Sequence, residues 1–370
     1  MRPDRLIAVA VAAVLAGGIA VAAKTTDSPS RPAAARHPVT APTHPPTVTP
    51  APTPKPTPAR PSPKPRPTGP LFPLPAAPAY PHPCPPPPIP PGPPFVPPKP
   101  LVKTAALPAA VAVSPHHAVL RPIRGKGMWL TTWADSKVDV PAVIAKAKAA
   151  GLDQLWVRTG GSKQGYYGPR VLNRLLPAAH AAGLYVVAWD FPTLSDPVAD
   201  AQRAATTMRA TFAGQHIDAF SPDIEEIYEG TFDTARRVAV YLSRVRVAAG
   251  DMPVVATVLR PLEGKPSNRP YRAMAPYVDA FAPMIYWSCT EPGYAALSAL
   301  RPLARLRPVH LIGQSYNMGP EGGRHGMPTA REIWRFLDVA HRAGAVGASL
   351  YVYDQTRAPQ WNALARYPWR

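Results

Sequence analysis

From residue 121 onward, apolar and polar positions fall into two patterns that take turns along the chain. Short apolar runs of strand length, such as Gly127–Trp133 (GMWLTTW), Gln154–Thr159, Leu184–Phe191 and Pro253–Leu259, are separated by longer stretches with apolar residues at three- and four-residue spacing. The clearest of these is about Thr231–Ala249, where Val238, Tyr241, Leu242, Val245 and Ala249 share one helical face. Further strands are expected at Ile217–Asp223, within Val278–Trp287, and at Val309–Tyr316 and Val346–Tyr353. Further helices are expected at Val140–Ala150, Arg170–Ala182, Asp196–Phe212, Tyr294–Leu306, Thr329–Ala343 and Pro359–Arg366, with a short one near Tyr271–Tyr277. Asp196 and Thr329 suit helix N-caps, and Gly151, Gly183, Gly250 and Gly344 suit helix stops. The junctions AAGLDQLWVR, AAGLYVVAW, AAGDMPVVAT and RAGAVGASLYVY repeat one scheme: helix end, glycine, apolar strand. Eight such units in about 240 residues predict an α/β fold, a (β/α)8 TIM barrel over 121–370. A doubly wound sheet is the alternative, but no GxGxxG follows the first strand to mark a dinucleotide crevice.

The first 120 residues have a different texture, with 35 of the chain's 55 prolines. Residues 1–23 carry Arg2 and Arg5 ahead of an uncharged apolar run, which reads as a signal peptide or a membrane anchor. Either one exports the chain, and any membrane contact is expected only through this segment. Residues 24–120 are too poor in buriable apolar surface to offset their ordering entropy and are read as an extended, disordered, Pro-rich spacer. Between Lys24 and Lys103 nine basic residues face one acid, Asp27. That suits contact with anionic cell-wall polymers, or simply solubility. With few aromatics for base stacking, the formal charge of +19 does not indicate nucleic acid. Localisation is therefore expected to be secreted or anchored, outside the cytoplasm and associated with the wall. Cys84 and Cys289 can pair there, which would pin the spacer beside the barrel mouth. No spacing resembles a zinc site, no cofactor is implied, and the chain is read as a monomer.

In such barrels chemistry gathers at the C-terminal strand ends. The fourth expected strand runs into IDAFSPDIEE, Ile217–Glu226. Asp223 and Glu225 are two apart, so an extended backbone sends both to one face, with Ser221, while Glu226 points away. Paired carboxylates at a strand end suit acid–base chemistry, a metal or a polar ligand. The other strand ends offer Trp133, Asp135, Arg158, Trp189, Asp190, Thr257, Tyr286, Trp287, Gln314, Tyr316, Tyr353 and Asp354. Aromatic faces and carboxylates suit a sugar better than a phosphate ester, and Arg158 is the one cation expected on this rim. Each residue also has a structural reading. Asp135 is suited to a helix cap, Arg158 to neutralising the acids, and Asp190 to a turn. Core packing would equally explain Trp133, Trp189, Trp287 and Tyr286.

IDAFSPDIEE resembles the strand-four signature of the chitinase-like (family eighteen) glycoside hydrolases, Asp-x-x-Asp-x-Asp-x-Glu. Asp218, Asp223 and Glu225 match three of its four positions, and Ser221 stands where the second Asp belongs. Met284 and Tyr286 in APMIYW match that family's strand-six Met-x-Tyr. Its strand-eight Trp has no counterpart, since LYVYD offers Tyr351 and Tyr353. The resemblance implies Glu225 as general acid, Asp223 orienting a substrate N-acetyl group, and Tyr286 bonding the acetamide. Asp135, Trp133, Arg158, Asp190, Trp287, Gln314, Tyr316 and Tyr353 are then expected to bind substrate. Without an acetamide, Asp223 would be base or nucleophile beside the acid Glu225. The expectation is an exported hydrolase of an envelope polysaccharide. A catalytically silent glycan-binding barrel is one alternative. A metal-dependent polysaccharide deacetylase or hydrolase using Asp223, Glu225 and Asp190 is another.

Overall fold

The computed structural model describes residues 107–114, 118–131, 137–225, 230–261, 269–321 and 323–369. The expected alternation is observed. In chain order the elements are β1 (Gly125–Leu130), α1 (Val140–Ala149), β2 (Gln154–Gly161), β3 (Gly165–Tyr166), α2 (Gly168–Ala181), β4 (Tyr185–Phe191), α3 (Pro197–Arg209), β5 (Ala219–Ile224), α4 (Ala235–Ala249), β6 (Val255–Leu259), α5 (Tyr271–Met274), β7 (Ala280–Ile285), α6 (Pro292–Ala304), β8 (His310–Gln314), α7 (Ala330–Arg342), β9 (Gly347–Tyr351) and α8 (Ala358–Arg366). β3 is a two-residue antiparallel addition to β2. The other eight strands are parallel, and β1 pairs with both β2 and β9, which closes the barrel.

Helix ends follow the chemistry of their caps. Asp196 accepts from the backbone N–H groups of Val198 and Ala199. Thr329 and Glu332 form a reciprocal capping box at the start of α7. Lys126, buried at the base of β1, donates to the carbonyls of Ala150, Leu364 and Tyr367, and so holds the C-terminal ends of α1 and α8 together.

Two apolar layers result from strand alternation. The larger lies between strands and helices and includes Met128, Val157, Phe220, Ile224, Val258, Phe281 and Leu311. The smaller fills the barrel: Trp129, Trp156, Val187, Trp189, Ala219, Val255, Leu259, Ala280, Ala282, Met284 and Ile312. Trp129 stacks on Trp156 with ring centroids 4.7 Å apart and leans on Trp189 at 5.3 Å. A Cβ on Gly127 would stand 3.0 Å from the Trp156 indole nitrogen, and one on Gly347 would strike the Ile123 carbonyl and the His310 ring. Glycine at these positions leaves room for the large rings.

Residues 107–114 and 118–120 lie in the stretch that composition assigns to the spacer, yet they are bonded to the barrel. Leu107 and Ala109 accept from Arg236 and Arg244 of α4, Val111 N donates to Ser243, and Ala118 N donates to Asp279. Among the described residues no helix is long and apolar enough to cross a membrane. The expected signal or anchor segment and most of the spacer lie outside the described residues.

Candidate active site

The inward face of β5 carries Ala219, Ser221 and Asp223, and Glu225 follows the strand's end. Ser221 is satisfied within the barrel: its Oγ donates to the Val255 carbonyl at 2.7 Å and lies 2.8 Å from Thr257 Oγ1. One level higher, Asp223 pairs in register with Thr257 of β6. Asp223 and Glu225 are both buried. Among the described residues Asp223 Oδ1 has no hydrogen-bond partner. Burial pushes the Asp223 carboxyl up to about 7, with Arg158 opposing the shift and Asp190 adding to it.

Three tyrosines face these acids. Tyr286 lies edge-on to Tyr316 at 5.7 Å and tilted against Tyr351 at 5.7 Å, and Tyr316 meets Tyr351 at 5.8 Å. Tyr351 in turn leans on Trp129 at 6.2 Å. Burial raises the Tyr286 phenol well above its ordinary range, and Tyr316, Tyr351, Asp223 and Glu225 add to the effect. It stays a neutral hydroxyl and therefore a hydrogen-bond donor. Tyr316 donates to Glu321 Oε2 at 2.7 Å, and burial raises the Glu321 carboxyl as well. Arg158 lies over the rings of Trp189 and Phe191, at 5.0 and 5.9 Å, and supports the Asp223 anion.

Asp223, Glu225, Tyr286, Tyr316 and Arg158 are thus brought together. Other expected residues are placed elsewhere. Asp190 turns outward to α3, where Arg203 grips both its oxygens at 2.8 and 2.9 Å. Its neighbour Trp189 takes the inward position. Trp287 is fully buried against Phe336 of α7, at 5.4 Å, because Tyr286 already occupies the inward position. Gln314 is buried with its amide engaged, accepting from Ser288 N and donating to the Tyr316 carbonyl. It ties two loops of the mouth. Tyr353 lies in a 3-10 turn, edge-on to Trp361 at 5.6 Å. Tyr351 holds the inward place instead, since β9 ends two residues earlier than the apolar run suggests. Trp133, Asp135 and Glu226 lie outside the described residues. Cys289 is disulfide-bonded, and Cys84 lies outside the described residues.

Sequence reasoning missed Tyr351 and Glu321. Strict alternation back from the end of β9 would have found Tyr351. Glu321 ends a three-residue 3-10 turn, too short to leave a periodic signal. Among the described residues no group of three or more His, Cys, Asp or Glu is placed to hold a metal ion.

No family model matches the chain, and no curated protein matches it. Solved structures do. The spore cortex-lytic enzyme SleL of Bacillus cereus is 10% identical with a TM-score of 0.52, covering 69% of this chain and 76% of its own. The endo-beta-1,4-mannanase of Thermotoga petrophila is 13% identical with a TM-score of 0.51, covering 66% of this chain and 76% of its own. SleL of Bacillus megaterium QM B1551 is 10% identical with a TM-score of 0.50, covering 70% and 76%. The likeness is one of fold.

Proposed function

We propose that the barrel is an exported glycoside hydrolase acting on a cell-envelope polysaccharide. The observation that carries the reading is Asp223: a carboxyl buried at the barrel mouth, held up near neutral pH, with one oxygen unpartnered. Such a group is costly unless a ligand completes it. Glu225 stands beside it, and the Tyr286 hydroxyl lies within their electrostatic reach. In the proposed reaction Glu225 protonates the glycosidic oxygen as the bond to the anomeric carbon breaks. Asp223 orients a substrate acetamide, as in the family whose motif this strand resembles, or attacks or activates water directly. Tyr286 donates to the sugar. Polysaccharide cleavage by the mannanase and the cortex-lytic activity of SleL are carried to this chain as part of the proposal.

Ser221 favours a second reading. The position that would hold another carboxylate is a satisfied hydroxyl, which suits a barrel that binds glycan without cleaving it. One experiment separates the two. The purified protein is incubated with bacterial wall polysaccharides, mannan and chitin oligomers, and reducing ends are measured for wild type and Glu225→Gln. Release that falls about a hundredfold or more in the variant supports the hydrolase. Equal release by both removes Glu225 from the mechanism. Binding without release leaves the silent barrel.

A further inference from the structure

Alternation along three strands turns three polar side chains into one space at the barrel mouth. In β7, Ala280, Ala282 and Met284 face inward, so Tyr286, the next in that series, does too. In β9, Ser349 faces inward, since its Oγ accepts from the Trp129 indole nitrogen inside the barrel, and Tyr351 leaves the same face. Ring contacts agree: Tyr351 packs against Trp129, Tyr286 and Tyr316. In β5, Asp223 follows Ala219 and Ser221 inward.

Other polar groups of the mouth are already engaged. Ser221 and Thr257 bond within the barrel, Gln314 uses both ends of its amide, and Tyr316 donates to Glu321. By contrast, among the described residues no hydrogen bond is formed by the hydroxyl of Tyr286 or Tyr351, both half-buried, or by Asp223 Oδ1. Burial raises both phenols, Arg158 opposes the shift at Tyr351, and Asp223 and Glu225 add to it at each. Both hydroxyls therefore stay neutral donors. A hydroxyl and a carboxyl oxygen that feel each other's charge without bonding leave a gap between them. Its donors stand on the β7 and β9 side and its acceptor on the β5 side. Unmet polar groups around such a gap are a cost that a ligand removes.

We propose that Tyr351 is a specificity-determining residue of the candidate site: its hydroxyl and that of Tyr286 form a two-donor clamp on one substituent of the sugar seated against Asp223. The inference rests on the glycan reading above and narrows its substrate class. The substituent is neutral, accepts two hydrogen bonds and donates one. An acylamino group does so through its carbonyl and its N–H, and a hydroxyl does so at a single oxygen. A protonated amine does not, since it can only donate. A site whose donors are left unmet by the wrong substituent discriminates against it more strongly than an apolar pocket would.

The test uses the full chain as wild type, Tyr351→Phe, Tyr286→Phe and the double variant. Phenylalanine keeps each ring and removes only the hydroxyl. Binding is measured by calorimetry to chitin, mannan and chitosan oligomers in mildly acidic buffer. These offer an acylamino group, a hydroxyl and a protonated amine at the corresponding ring carbon. Thermal unfolding is measured without ligand. Each single variant is expected to weaken binding of the chitin or the mannan oligomer about fivefold, with chitosan binding unaffected. Which of the two responds assigns the substituent. Because both hydroxyls meet one group, the double variant should weaken binding by clearly less than the product of the single effects. Unliganded Tyr351→Phe is expected to unfold at the wild-type temperature, since its hydroxyl has no bond to lose. Four results would each overturn the proposal: chitin and mannan binding unchanged in Tyr351→Phe, an equal loss with chitosan, a double effect at or above the product, or a lower unfolding temperature for Tyr351→Phe. Wild type that binds none of the oligomers fails the glycan reading, and this inference with it. Binding that ignores the Tyr351 hydroxyl fails this inference alone.

Discussion

Tyr316 donates its hydroxyl to Glu321 Oε2 across 2.7 Å, and the same ring packs edge-on against Tyr286 and Tyr351. A carboxylate in the loop after β8 thereby fixes the aromatic wall opposite Asp223 and Glu225. Tyr316→Phe would leave Glu321 partly buried without this donor. The expected loss is about 1–3 kcal/mol of stability, read from urea midpoints. Oligosaccharide binding should weaken together with stability. Full stability with full binding would show that the pair is incidental.

Asp190 and Arg203 form a different kind of pair. Their side chains are only 1% and 11% exposed, and Arg203 also holds Asp200. Removing one partner strands the other charge. Arg203→Met is expected to destabilise by about 3–5 kcal/mol. Asp190→Asn should lose stability without the loss of proton chemistry expected at Glu225. Denaturant unfolding of both variants checks this.

Asp223 makes an opposite prediction. Its carboxyl sits at about 7 in the folded chain against an ordinary value of 3.8. Between those values the folded state holds a proton that the unfolded state has released, so stability falls as pH rises through the window. Each unit of difference corresponds to ~1.4 kcal/mol, so Asp223→Asn should be more stable than wild type at pH 8 by on the order of a few kcal/mol. At pH 4 the two should be nearly equal. A variant less stable than wild type at pH 8 would refute the assigned burial cost.

His310 works against Asp223 in the same window. Burial lowers its ring from 6.5 to about 4, between the Ile123 carbonyl and Ser349 Oγ. Below its unfolded value the unfolded state gains the proton first, so this contribution is full above pH 6.5 and is lost as pH falls toward 4. The two slopes partly cancel in wild type. Asp223→Asn should therefore show a steeper loss of unfolding temperature on acidification from pH 7 to 4 than wild type does.

Lys126 offers a stability test remote from the mouth. Its ammonium caps carbonyls from two helices at once. Lys126→Met would leave those carbonyls unmet beside a buried methyl group. A loss of about 1.5–3 kcal/mol is expected, with glycan binding unchanged.

Much of this protein was set by the sequence alone. Alternation of apolar runs and amphipathic stretches determined the eight β/α units, because strand and helix periods are properties of the local backbone. The same period of two determined that Asp223 and Glu225 leave one face of one strand. Neighbouring candidates were a different matter. Trp189 and Asp190, and Tyr286 and Trp287, cannot both face inward, and the barrel settled each choice. Asp190 went to Arg203, thirteen residues away on α3, because the packing of that helix on the strand brings the two charges together. Where β9 stops decided that Tyr351, not Tyr353, lines the mouth. Glu321 carries no pattern in the chain. Its role arises from a loop that meets the tyrosines only when the barrel closes. The level at which Asp223 holds its proton was likewise decided in three dimensions, since desolvation depends on everything that surrounds the group and not on its place in the sequence.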